Sequence, residues 1–372
     1  MTLNFRLEYN TSYGENLYVV LGSEREKAYP MTYVGGGVWE AQVKHTETEV
    51  AYRYEVRYDE SVIRKEWGAP HKLTLDKGVT SFRILDRWHD MPMDRSFRSS
   101  MFTDGVFART KAKKTQPAAD GYITIRAEVP VVRTTQKVVL VGEGKALGDW
   151  NTAKGLEMSD TQAPLWSVRF KAPKGSFAYK FVIVDSESGE VAAWQSGENY
   201  YCTEKVDKNE ALVIDSLRPQ FDMPAWRGAG VAIPVFSLRS ESSFGVGEFN
   251  DIRLMVDWAV ATGQSIIQIL PINDTTMTGT WQDSYPYNAN STFALHPQFL
   301  HLPDVGTLKD KAEMERFEAL GKELNALPMI DYERVNNAKA EYLHAIFAEN
   351  GKKTLASKEF KAFMAANEEW LR

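Results

Sequence analysis

The segment from Arg227 to Phe299 constrains the fold more than any other part of the chain. Gly230 to Phe236 is an apolar run too short for a helix and bounded by Gly, Pro and Ser, which predicts a buried strand. From Asp251 to Thr262, the residues Ile252, Met255, Val256, Ala259 and Val260 recur on one face, predicting an amphipathic helix stopped by Gly263. Ser265 to Leu270 reads as a second buried strand, ended by Pro271. Strand, helix, strand is a βαβ unit, and such units build parallel sheets. In a (β/α)₈ barrel the active site forms from the loops at the carboxyl ends of the strands. Here the first such loop carries serines, glycines and Glu248, and the second carries Asn273, Asp274, Trp281, Asp283, Tyr285 and Tyr287. Aromatic rings beside a carboxylate suit a sugar, whose ring has apolar faces and hydroxyl edges. The same residues also fit packing beneath a long loop.

The residues ahead of this segment repeat a pattern. LNFRLEY, NLYVVLG, VWEAQV and AYRYEVRY are short alternating or β-rich runs separated by Gly and Pro clusters, which predicts a β-sandwich over residues 1–88. GYITIRAEVP, KVVLVG, LWSVRFKAP, FAYKFVIVD, AAWQSGENYY and ALVIDS repeat the order over residues 120–218. Each half has a central tryptophan, Trp39 or Trp166, inside an alternating strand that marks it as core. Each also has a YRY or YKF strand followed by a second tryptophan, Trp67 or Trp194. The period of about one hundred residues is too long for a solenoid repeat. Residues 89–119 are polar and basic with little periodicity and read as a linker, in which Phe97, Phe102 and Phe107 are candidates to pin the chain down. The Lys111 to Lys114 run reads as a solvated tether.

A chain of 372 residues calls for two or three domains. A net charge of −6 gives no reason to expect nucleic acid or anionic membranes as partners. The N-terminus shows no basic region followed by an apolar core, and no apolar run reaches the length of a membrane span. A single cysteine, Cys202, excludes an internal disulfide and fits a cytoplasmic location, and it reads as a half-buried strand residue. The six histidines show no paired metal-ligand spacing.

FGVGEFNDIRLMVDWA, QILPIND and DSYPYNANSTFALHP resemble the opening of the catalytic barrel of the 4-α-glucanotransferases of glycoside hydrolase family 77. The resemblance is closest to the branch typified by the plant cytosolic disproportionating enzyme, with two starch-binding modules ahead of its barrel. LGDWN, LWSVRF, FAYKF and Trp194 to Asn199 resemble a family 20 carbohydrate-binding module. That resemblance implies that Trp150 and Trp194 stack on α-glucan rings while Lys180 and Asn199 bond glucose hydroxyls. In the first half no tryptophan follows Gly22 and Arg53 replaces the lysine, so only Trp67 matches the module pattern. Simpler amylomaltases differ at Tyr285 and at Leu295-His296, which points to the two-module branch. In the barrel, the resemblance implies that Tyr287, with Asp283 and Tyr285, lines the donor side.

Beyond Phe299, Leu308 to Leu327, Asp331 to Asn350 and Thr354 to Arg372 have helical spacing, with Pro328 after the first helix and Gly351 closing the second. The expected architecture is therefore multidomain. Two antiparallel, immunoglobulin-like β-sandwich modules precede the start of a (β/α)₈ barrel over 225–372, with a helical segment over 307–372. A full barrel needs about 250 residues. The chain therefore reads as the N-terminal part of a longer enzyme whose catalytic carboxylates are expected beyond Arg372. The implied reaction is retaining transglycosylation from maltose or maltodextrin to glycogen or a starch-like acceptor, without a metal or organic cofactor. The alternative is a non-catalytic pair of starch- or glycogen-binding modules.

Overall fold

The computed structural model describes all residues except 23–24, 110–113, 115, 224–225 and 372. The expected start of the barrel at Ala225, and Lys111 to Lys113 of the basic run, lie outside the described residues. The chain divides into two compact units, Met1–Trp226 and Arg227–Arg372.

In the first half of unit one the strands are β1 (Thr2–Glu8), β2 (Glu15–Leu21), β3 (Lys27–Pro30), β4 (Thr32–Gly35), β5 (Val38–Lys44), β6 (Glu49–Tyr58), β7 (Ser61–Lys65), β8 (His71–Thr74) and β9 (Ser81–Arg87). The second half contributes β10 (Tyr122–Glu128), β11 (Gln136–Gly142), β12 (Leu156–Glu157), β13 (Ser159–Gln162), β14 (Leu165–Lys171), β15 (Phe177–Asp185), β16 (Val191–Trp194), β17 (Tyr200–Cys202) and β18 (Glu210–Leu217). The halves share one eight-stranded sheet in the order β13-β14-β10-β18-β9-β1-β5-β4, and each has a five-stranded sheet of its own.

Strand alternation explains how one sheet serves two cores. In the parallel β9–β18 pair, Ala211 lies beside Phe82 and Val213 beside Ile84, and all four belong to the first core with Leu17, Tyr52 and Tyr54. Successive side chains point to opposite faces. Leu212 and Ile214 accordingly enter the second core with Phe181 and Trp166, Leu217 joins it beyond an irregularity in the β10–β18 register, and Leu85 packs against it. The sandwiches are thus mixed rather than purely antiparallel, because β1–β9, β10–β18 and β9–β18 all pair parallel. The first and last strands of each half lie side by side with the rest of the half as a crossover, so no hairpin imposes the antiparallel direction.

Trp39 and Trp166 are both core residues, and their indoles donate to the carbonyls of Tyr9 and Val129 at 3.1 Å each. Between the halves, Arg95–Arg98 forms a 3₁₀ turn and Met101–Val106 a π-helical turn. Phe97, Phe102 and Phe107 cluster there, with ring centroids 4.9–6.3 Å apart.

Unit two opens with β19 (Gly230–Ile233), α1 (Asp251–Ala261) and β20 (Ile266–Ile269), and the strands pair parallel. The first strand ends at Ile233 rather than Phe236. Pro234 has no N–H to continue a ladder, and Val235–Ser237 turns into a 3₁₀ segment. Neither strand is fully buried. A two-stranded sheet is also too narrow to cover the expected face of α1: Ala259 is buried, but Val256 and Val260 are exposed.

The helices α2 (Leu302–Val305), α3 (Lys311–Asn325), α4 (Tyr332–Ala356), α5 (Lys358–Ala366) and α6 (Glu368–Leu371) follow. Side chains of Asp310, Asp331 and Ser357 cap α3, α4 and α5 by accepting backbone N–H groups. Gly351 does not close the second helix. It sits inside α4, where a Cβ would come within 2.8 Å of the Phe347 ring, so the glycine serves close packing.

Candidate functional site

In unit one the candidate residues gather on the outer face of the second half's own sheet. Val139 and Val141 of β11 and Val182 and Val184 of β15 form a buried strip there, separate from the sandwich core, with Trp150 packed against it. Lys180 shares that face, since it alternates with Val182 and pairs with Val141. Trp194 lies directly across from Val182 and is 41% exposed.

The local sequence explains how each side chain is presented. Gly148, Asp149 and Trp150 all have positive φ, and a Cβ on Gly148 would lie 2.6 Å from the Lys154 backbone, so only glycine fits. Two non-glycine residues in the left-handed region store strain of the kind found at functional sites. The loop after Trp194 is braced by Gln195, whose carboxamide accepts from Phe181 N–H at 3.2 Å and donates to Glu198 O at 3.0 Å. Lys180 Nζ donates to Gly197 O at 2.7 Å and to Gln195 O at 3.3 Å, leaving one of its three donors for another partner. Asn199, half-buried, follows on this braced loop.

The corresponding face of the first half is built differently. Arg53 occupies the place of Lys180, but its guanidinium is held by both carboxylate oxygens of Glu26. Arg57 covers the Tyr18 ring at 4.5 Å and pairs with Glu55. Aligning YRY with YKF puts Glu55 at the place of Val182, and the residue across from Glu55 is Lys65. Lys65 is therefore the positional counterpart of Trp194, and Trp67 is not. Glu66 confirms the register, since it accepts Tyr54 N–H as Gln195 accepts Phe181 N–H. Trp67 lies two residues further on, half-buried, at a cavity between the halves.

In unit two the residues after β20 form a self-contained loop. The buried carboxylate of Asp283 accepts the N–H groups of Met277, Thr278 and Gly279 and the Thr278 hydroxyl. Burial works to raise its pKa, but these donors outweigh it and hold it below the usual carboxylate range. The carboxylate thus shapes the loop that carries the tyrosines. Tyr285 and Tyr287 stand on that loop, 60% and 61% exposed, with rings 5.5 Å apart.

Sequence reasoning did not find the buried cluster nearby. Glu248 follows β19, and its carboxylate binds Lys339 Nζ of α4 and lies 2.6 Å from His301 Nδ1. Lys339 also donates to the carbonyls of Gln298 and Leu300 at 2.7 and 2.8 Å. Burial depresses the Lys339 pKa, against the pull of Glu248. The cluster ties the loop after the first strand to the helical segment, and no local spacing announces a pair 91 positions apart.

Residues 233–372 match the glycoside hydrolase family 77 model, described as 4-alpha-glucanotransferase, and residues 122–212 match the starch binding domain model. The chain carries a family 77 glucanotransferase segment and a starch-binding domain. It is 32% identical to a 4-alpha-glucanotransferase of Oryza sativa subsp. japonica over all of its own length and 42% of that protein's. It is 40% identical to a 4-alpha-glucanotransferase of Chlamydia trachomatis over 32% of this chain and 21% of that one. A glucoamylase of Neurospora crassa is 37% identical over 34% of this chain and 21% of its own. The chain thus spans less than half the length of these curated relatives. Among the described residues, no helix is long and apolar enough to cross a membrane.

Proposed function

We propose that this chain is the glucan-anchoring portion of a 4-α-glucanotransferase that moves glucosyl or glucan units between α-1,4-glucans. The observation that carries the reading is the gathering of Trp150, Lys180 and Trp194 on one outer face over a valine strip. An indole offers a flat apolar surface to the face of a glucose ring, and an ammonium with a spare donor meets the hydroxyls at its edge. Asn199, on the braced loop, adds a second polar group.

In this reading 1–88 and 120–218 are two sandwich modules joined through 89–119, and 225–372 begins a (β/α)₈ barrel. The exposed apolar residues of α1, Leu254, Val256, Trp258 and Val260, support a barrel in which further elements cover that helix. Tyr287 and Tyr285 meet the donor sugar from the loop after β20. The reaction is retaining transglycosylation. A carboxylate attacks the anomeric carbon and a second carboxyl group protonates the departing glucan. The 4-hydroxyl of an acceptor, maltodextrin, starch or glycogen, then takes the glycosyl group from the covalent intermediate. The carboxylates of Glu248 and Asp283 have structural partners and take no part in these steps. The buried thiol of Cys202 suits a reducing cytoplasm.

Sedimentation with insoluble starch tests the anchor. The wild-type chain is expected in the pellet and Trp194→Ala in the supernatant. A wild-type chain that stays in solution overturns the reading.

A further inference from the structure

A cavity of ≈ 440 Å³ opens where the two sandwiches meet, and residues of both halves line it. The first half supplies Trp67 and Ala69 from the turn between β7 and β8, then His71. The segment after β9 supplies His89, and the second half supplies Arg126, Leu165 and Asp215. The volume lies within the roughly 300–1,000 Å³ of ordinary small-molecule sites.

The chemistry of the walls selects a ligand class. Arg126 donates to Asp215 at 2.7 Å, and both side chains are buried. Arg98 lies 2.6 Å from Asp94 and 3.2 Å from Glu128. His71 bridges Glu66 at 3.2 Å and Asp215 at 3.5 Å. Each of these charges is already answered by an opposite one, and Lys72, the other charged residue of the lining, is exposed, so the buried walls offer hydrogen-bonding groups of both kinds rather than a net charge. Glu66, His71 and His89 lie within 4.8 Å of one another, a spacing that admits a metal ion. The Glu66 carboxylate already accepts Tyr54 N–H at 2.8 Å and His89 N–H at 3.0 Å, which gives it a structural task in bracing both backbones.

A neutral polyhydroxyl ring fits better. The Trp67 backbone is fixed by donation to His89 O at 2.8 Å, which leaves its half-buried indole as a wall of the cavity. Pro164 and Leu165 line it as apolar surface from the second half. His89 Nε2 is buried and, among the described residues, has no hydrogen-bond partner. Burial and the neighbouring His71 charge lower the His89 pKa to about 4, so the ring is neutral at neutral pH and able to exchange a hydrogen bond with a hydroxyl.

We propose that this junction cavity is a second carbohydrate site, which takes a short gluco-oligosaccharide with Trp67 as the stacking wall and His89, Arg126 and Asp215 as hydroxyl partners. The proposal rests on the reading of this chain as a glucan binder. It gives Trp67 a role that its register denies it on the outer face. Because both sandwiches build the walls, an occupant contacts both halves at once, whereas the outer face belongs to the second half alone.

Maltotriose titration by calorimetry, beside starch sedimentation, tests the site in the full chain. Trp194→Ala is expected to lose starch sedimentation and still bind maltotriose. Adding Trp67→Ala, or Ala69→Arg at the exposed rim, is expected to weaken that remaining binding about tenfold or more. Trp67→Ala alone is expected to leave starch sedimentation in place. The Ala69→Arg arm does not depend on removing a half-buried side chain, so it keeps the test open if Trp67→Ala fails to fold. Loss of all maltotriose binding in Trp194→Ala, in a protein whose wild type binds starch, overturns the cavity and spares the outer face. Unchanged maltotriose binding when the rim is blocked also overturns it. A wild type that binds neither starch nor maltotriose overturns both readings.

Discussion

Trp194 lies directly across from Val182 in the antiparallel β15–β16 pair, which sets its indole on the outer face of the second sandwich. The same face seats Trp150 on the valine strip and carries Lys180. Under the proposed function Trp194, 41% exposed, is a binding element. Trp194→Ala should therefore weaken starch binding about tenfold or more while leaving the thermal midpoint nearly unmoved. Trp166→Ala should instead cost roughly 3–5 kcal/mol of stability, because that indole is fully buried. Parallel sedimentation and thermal melts separate the two.

Val213 belongs to the second half in sequence and to the first half in packing. Val213→Ala should cost about 2 kcal/mol. The loss should appear as faster amide exchange in β2 and β6, across the domain boundary that the sequence suggests. Faster exchange confined to β10–β18 would contradict the shared-sheet account.

Lys339 and Glu248 form a buried ion pair in unit two. Lys339→Met leaves Glu248 buried without its cation, at a cost of roughly 3–5 kcal/mol. Pairing it with Glu248→Gln should recover part of that loss. Urea unfolding of the single and double variants measures the coupling directly.

His89 has a folded pKa of about 4, below its ordinary value of 6.5. As pH falls from 6.5 towards 4, the unfolded chain takes up a proton that the folded chain refuses, so this histidine lowers stability on acidification. His89→Gln removes that term. The variant should gain on the wild type by up to about 1.4 kcal/mol per pH unit over this window. Asp86, raised to about 7 by burial, titrates in both proteins and cancels in the comparison. Urea midpoints at pH 7 and pH 5 check the sign.

Tyr287 is exposed beside Tyr285 on a loop whose shape Asp283 maintains. Under the proposed function, Tyr287→Ala should reduce transfer from maltose without changing starch sedimentation. Unchanged steady-state transfer rates would remove Tyr287 from the donor site.

The sequence was informative wherever a pattern is local. Alternation marked Trp39 and Trp166 as core, turn residues beside Trp150 and Trp194 marked them as presented, and the strand–helix–strand unit stood out before any fold was known. It was silent where partners are distant. KVVLV and FVIV do not alternate because both faces of β11 and β15 are covered, one by the sandwich core and one by Trp150. The pairing of β9 with β18 joins residues more than 120 positions apart, and no periodicity encodes it. Trp67 meets the same limit: its place after a YRY strand suggests the counterpart of Trp194, and only the register shows that Lys65 holds that place.

The most direct measurement of the central claim is the response of the indole N–H resonances to maltoheptaose, assigned by single tryptophan substitutions. The account predicts that Trp150 and Trp194 shift together while the core indoles of Trp39 and Trp166 stay fixed. Shifts confined to other tryptophans, with Trp150 and Trp194 unmoved at saturating sugar, would contradict it.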